Sequence, residues 1–178
     1  MTKKFKINLK SNAINTIKPK IGVFTHDQYR KNIDNQIAAG LMIDNSFVHI
    51  KKNYDFDYFF SNDRFIITPF FESYSDHIEY MKNMTLNMYV SFSECFGLFA
   101  SESLSVGVPC LISNNSGLLD FSPELSNYLI VNEYDDSNSI YRQAIKVLEN
   151  RQSISKLGIE YIDQLNKVAL SKFENFIS

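Results

Sequence analysis

Residues 93–113, SECFGLFASESLSVGVPCLIS, decide how the chain folds. An apolar run at 88–92, MYVSF, stops just before them. Glu94 and a small-residue turn at Gly97 follow, then a helix-like segment holding Glu102. Gly107 and Pro109 close that segment, and a new apolar run starts at Cys110. Strand, glycine turn, helix, glycine stop and strand spell one βαβ unit. The turn after its first strand lies at the carboxyl end of a parallel sheet, where open α/β folds place their ligands. The first amides of the following helix lack partners within it, and the helix dipole adds about half a positive charge there. Such a tip attracts phosphate before any side chain is considered.

Glu94 on the turn and Glu102 about five residues into the helix are expected to face one crevice, with Leu98, Phe99 and Leu104 toward the sheet. Carboxylates are poor phosphate ligands but good acceptors for sugar hydroxyls. A phosphate-accepting helix tip between two carboxylates fits a ligand anionic in the middle and hydroxylated at both ends, as a nucleotide-sugar is. The alternative reading is plainer: Glu94 as a charge favoured at a helix start, Glu102 as part of a solvated helix face.

Outward from this unit the pattern repeats. Strands are expected at 20–25 (KIGVFT), 46–50, 64–68, 86–92, 109–113 and 128–131. Helices are expected at 31–41, 74–82, 138–149 and 153–176. Strands separated by helices imply an α/β fold, a single Rossmann-like, doubly wound parallel sheet with helices on both faces and strand order 3-2-1-4-5-6. The length of 178 residues suits one well-cored domain, read as 20–178 after a lysine-rich segment, 1–19. In that segment Phe5, Ile7 and Leu9 alternate with lysines as a short edge strand would.

Composition narrows the partners. The first twenty residues hold six lysines and no acid, so the remainder sets 12 basic groups against 20 acidic ones, a formal charge of −8. That balance disfavours nucleic acid as a partner of the main body. The lysines leave peripheral contact with an anionic membrane surface open, beside the plainer reading of a solvated tail. No apolar run reaches the roughly 18 residues needed to span a bilayer, and no signal core follows the lysines. Cys95 and Cys110 form no C-x-x-C, which fits a reducing, cytoplasmic location. His26, His49 and His77 have no metal-ligand spacing, and Asp55-Phe56-Asp57 reads as structure, so no metal is expected. Tyr54, Tyr58, Phe59 and Phe60 read as core or interface.

The spacing E-x7-E (Glu94, Glu102), followed by SLSVGVPC at 103–110 and NNSGLLD at 114–120, resembles the donor-binding, carboxyl-terminal half of retaining GT-B glycosyltransferases of the family 4 type. The likeness runs from about residue 20 to 176. It implies that Glu94 contacts the transferred sugar and Glu102 holds the ribose hydroxyls. It implies further that amides at Phe96, Gly97 and Leu98 meet the diphosphate or the sugar. The segment 20–39, KIGVFTHDQYRKNIDNQIAA, resembles the family's opening strand and puts Lys31 in the phosphate-contacting role. His26 stands where the family usually has an arginine, and the resemblance gives it the role of a hydrogen-bond donor to phosphate. TPFF at 68–71 matches the loop framing the base, with Pro69 replacing a glycine; Cys95 replaces another. Ser116 and Gly117 fall in the loop that contacts the sugar, where Asp120 replaces a glutamate.

The resemblance thus implies a metal-independent, cofactor-free domain that binds a donor such as a UDP- or GDP-sugar. Glu94 and Lys31 are its catalytic candidates. It also implies an acceptor-binding domain or subunit outside this chain. A non-catalytic subunit or protein-interaction module on the same fold is the competing expectation, motivated by His26, Pro69 and Cys95.

Overall fold

A computed structural model describes residues 18–25, 29–51, 62–68 and 71–177. The edge strand expected around Phe5, the Asp55–Asp57 pair with its neighbouring aromatics, His26 and Pro69 lie outside these residues. Among the described residues six parallel strands form one sheet: β1 (Lys20–Val23), β2 (Phe47–Lys51), β3 (Phe65–Thr68), β4 (Leu86–Tyr89), β5 (Cys110–Ser113) and β6 (Ile130–Val131). Their order is β3-β2-β1-β4-β5-β6, as the alternation of strand and helix predicts. The helices are α1 (Ile33–Met42), α2 (Tyr74–Lys82), α3 (Leu98–Ser105), α4 (Pro123–Leu129), α5 (Ser137–Glu149) and α6 (Arg151–Ile177).

Right-handed crossovers place the helices. From β1 the chain moves by α1 to β2 on one side; from β4 it moves by α3 to β5 on the other. The two helices therefore cover opposite faces. In keeping with this, α1 packs on α5, whereas α3 packs on α2 and α6. Covered on both sides, the central strands are buried almost throughout: Ile21, Val48, Leu86, Met88, Leu111 and Ile112 are all at most 1% exposed. Gly22 leaves room for the Asn87 side chain of β4, since a Cβ there would lie 2.1 Å from Asn87 Oδ1.

Several boundaries differ from expectation. β1 and β4 stop earlier, at Val23 and Tyr89, because the chain leaves the sheet to build loops over its carboxyl edge. Lys31 belongs to a 3-10 turn, Tyr29–Lys31, and α1 begins only at Ile33. The strand expected at 128–131 is the largest error: α4 occupies Pro123–Leu129, and only Ile130 and Val131 pair with β5. Its start signal was present, with Pro123 and Glu124 in the first turn. Among the described residues no helix is long and apolar enough to cross a membrane. Cys110 is buried in β5 and Cys95 lies exposed in the β4–α3 loop, both as free thiols.

Candidate functional site

Where β1 and β4 lie side by side, the order of the strands reverses, and their carboxyl ends open a crevice between two loops. The loop after β1 carries Arg30 and Lys31. It is held by unusual local structure: Asn32 adopts a left-handed conformation (φ 51°), which asparagine tolerates better than most residues. Gln36, fully buried on α1, donates to the carbonyls of Lys31 (2.6 Å) and Asn32 (3.2 Å) and accepts from the Val90 amide (2.9 Å). The Phe92 amide in turn donates to the Arg30 carbonyl at 2.7 Å. The two loops are thereby stitched into one body.

Held in this way, Lys31 is almost wholly buried and its ammonium donates to Glu94 Oε2 at 2.5 Å. It donates also to the Tyr89 hydroxyl, at the end of β4. Arg30, half exposed, donates to the Ser93 carbonyl (3.3 Å) and lies 4.0 Å from Glu94 Oε2. Burial pushes the Glu94 carboxyl up, yet hydrogen bonds from Lys31, Tyr89 and the Cys95 amide, with the charge of Lys31, outweigh it and hold the carboxyl below its usual range. Glu94 is therefore ionised at neutral pH, an acceptor of hydrogen bonds and a poor proton donor.

Beyond Glu94 the chain turns at Gly97, whose φ of 82° suits glycine. A Cβ there would sit 3.2 Å from Ser116 Oγ and 3.9 Å from Glu94 Cγ, so the backbone runs close to both. Gly97 occupies the cap position of α3 and brings no side chain to bond the amides of its first turn. The loop after β5 closes over the same tip: Ser116 Oγ donates to the Phe96 carbonyl and the Gly117 amide to the Cys95 carbonyl, both at 2.9 Å. Asn115 ties that loop to the Ser91 and Phe92 carbonyls.

Lys31, Glu94, Phe96, Gly97, Ser116 and Gly117 are thus brought together. Phe96 is partly exposed at the tip. Leu98, expected to face the sheet, is instead 70% exposed, because α3 turns Phe99, Ala100 and Leu104 inward. Glu102 lies one turn beyond Leu98 on the same stripe of α3. Its carboxylate accepts from the Tyr74 hydroxyl (2.9 Å), on the first residue of α2. A capping box, with reciprocal bonds between Ser73 and Asp76, fixes that end of α2. Phe71, the last residue of the TPFF loop, packs on His77, which stacks on Phe99.

Sequence reading missed Tyr89, Tyr74, Gln36 and Asn115. The available signals were a phenol ending an apolar strand and a glutamine within the apolar face of α1. Neither identifies a partner in the sequence alone.

A family model for glycosyl transferases group 1 matches residues 60–162. No curated protein matches the sequence. Among solved structures, sucrose-phosphate synthase from Thermosynechococcus elongatus superposes with a TM-score of 0.74 at 19% identity, over 92% of this chain and 46% of that one. WaaG, a glycosyltransferase involved in lipopolysaccharide biosynthesis, gives 0.66 at 17% identity, over 84% and 44%. The catalytic domain of cholesterol-alpha-glucosyltransferase from Helicobacter pylori gives 0.62 at 16%, over 84% and 99%. The chain spans just under half the length of the first two. At these identities the superpositions speak for the fold.

Proposed function

The chain belongs to the glycosyl transferases group 1 family, and from that premise we propose that it is the donor-binding part of a retaining, metal-independent glycosyltransferase. The observation that carries this reading is the ion pair of buried Lys31 with partly buried Glu94, set beside the tip of α3, which has no side-chain cap, at the reversal of strand order. A diphosphate seated at that tip meets the amides of α3 and the cations of Lys31 and Arg30. Their positive charge stabilises the departing nucleoside diphosphate electrostatically, the part a metal would otherwise take. Glu94, ionised and fixed, accepts from hydroxyls of the transferred sugar. Glu102 accepts from the ribose hydroxyls. Transfer with retention requires an acceptor held by a domain or subunit outside this chain.

Binding of UDP-, GDP-, ADP- and CMP-sugars by calorimetry tests the reading. One donor class is expected to bind with a dissociation constant on the order of 10 μM to 1 mM, because a few charge-assisted hydrogen bonds must offset the entropy of association. Glu102→Ala weakens that binding about tenfold or more. Silence across the panel, or an unchanged affinity in the variant, contradicts it.

A second reading, a non-catalytic subunit on the same fold, draws on Cys95, an exposed thiol next to Glu94 where the resemblance calls for a glycine. Donor hydrolysis or transfer by the isolated chain eliminates it.

A further inference from the structure

We propose that Tyr89 is a positioning residue of this site, its hydroxyl holding the Lys31 ammonium and the Glu94 carboxylate in a closed three-membered arrangement. Lys31 Nζ donates to both the phenol oxygen and Glu94 Oε2, and lies 4.2 Å from the centroid of the Tyr89 ring. The ring itself is fixed by Phe99 of α3, at a centroid distance of 5.3 Å. With its oxygen accepting from the ammonium, the phenol has its own proton left to offer the carboxylate bound to the same ammonium.

Burial, followed by the bond to Glu94, raises the Tyr89 phenol far above its ordinary value, so it remains a neutral donor at every working pH. The groups facing the trio are Lys31 and Arg30 from the loop after β1, Glu94 itself and Cys110 from β5. Without the phenol proton, Glu94 keeps its burial and loses one of the bonds that oppose it.

The role in donor binding rests on the function proposed above; the effect on Glu94 does not, and the two are separable. Tyr89→Phe retains the ring against Phe99 and removes only the oxygen. In the ligand-free chain, the side-chain carboxyl of Glu94 is followed by carbon NMR against pH, assigned through Glu94→Gln. Since the hydroxyl helps lower the Glu94 pKa, its removal is expected to move the titration midpoint to higher pH. The acid-side loss of donor affinity moves the same way, and affinity at neutral pH falls about three- to tenfold. Tyr89→Leu, which lacks both ring and oxygen, gives the same upward shift if the hydroxyl is its cause. A Glu94 midpoint identical to wild type in a folded Tyr89→Phe protein overturns the assignment. A raised midpoint in a chain whose wild type binds no nucleotide-sugar upholds the role of Tyr89 and refutes the donor reading.

Discussion

At the scale of single residues, two glutamates eight positions apart are held by different partners. Glu94 is held by Lys31, which also bonds Tyr89, whereas Glu102 shares one oxygen with an exposed tyrosine. Tyr74 takes one oxygen of Glu102 and restricts the rotation of the carboxylate. If that carboxylate takes a ribose, its aim decides how well the 2′-hydroxyl is sensed. Tyr74→Phe is therefore expected to narrow the preference for a ribonucleoside diphosphate over its 2′-deoxy analogue by about three- to tenfold, measured by competitive binding. An unchanged ratio places Tyr74 in a purely structural role. The spacing of the two glutamates was visible in the sequence. Their partners were not, because Tyr89 and Lys31 stand 58 residues apart and meet only through the packing of β4 beside the loop after β1.

Among the elements, the βαβ unit at 86–113 was read correctly in kind, because glycine and proline mark its turns and each strand is mostly apolar, Asn87 in β4 being the interruption. Its surroundings were harder. Gln36 occupies a fully buried position on α1 that apolar periodicity would assign to a hydrophobic side chain, and it works as a bracket between α1 and β4. Gln36→Ala leaves the Val90 amide and the carbonyls of Lys31 and Asn32 without that side chain. A cost of about 1–3 kcal/mol is expected, the usual penalty for a buried polar group left unpaired, read from urea denaturation. A variant as stable as wild type contradicts the bracket. α4 was missed for a different reason: YLIV at 128–131 has strand composition, but its first two residues end a helix whose inner face is Leu125 and Leu129. Local propensity yielded there to packing against the sheet.

For the molecule as a whole, strand order followed from sequence because right-handed crossovers permit few alternatives once six strands alternate with helices. The loop over the carboxyl edge was less legible, since its geometry depends on Asn32 in a left-handed conformation and on three loops tied to one another by side-chain amides. That edge gathers Lys31, Glu94 and the tip of α3; the opposite edge carries the turns at Ser46, Met84 and Gly107. Under the proposed function, one edge of one sheet receives an activated sugar. Amide NMR during titration with the best-binding nucleotide-sugar tests it most directly. The resonances of Lys31, Glu94, Gly97, Leu98, Ser116 and Gly117 are predicted to move together, with one common dissociation constant. Shifts centred instead on Ser46, Met84 and Gly107, or none at saturating ligand, would contradict it.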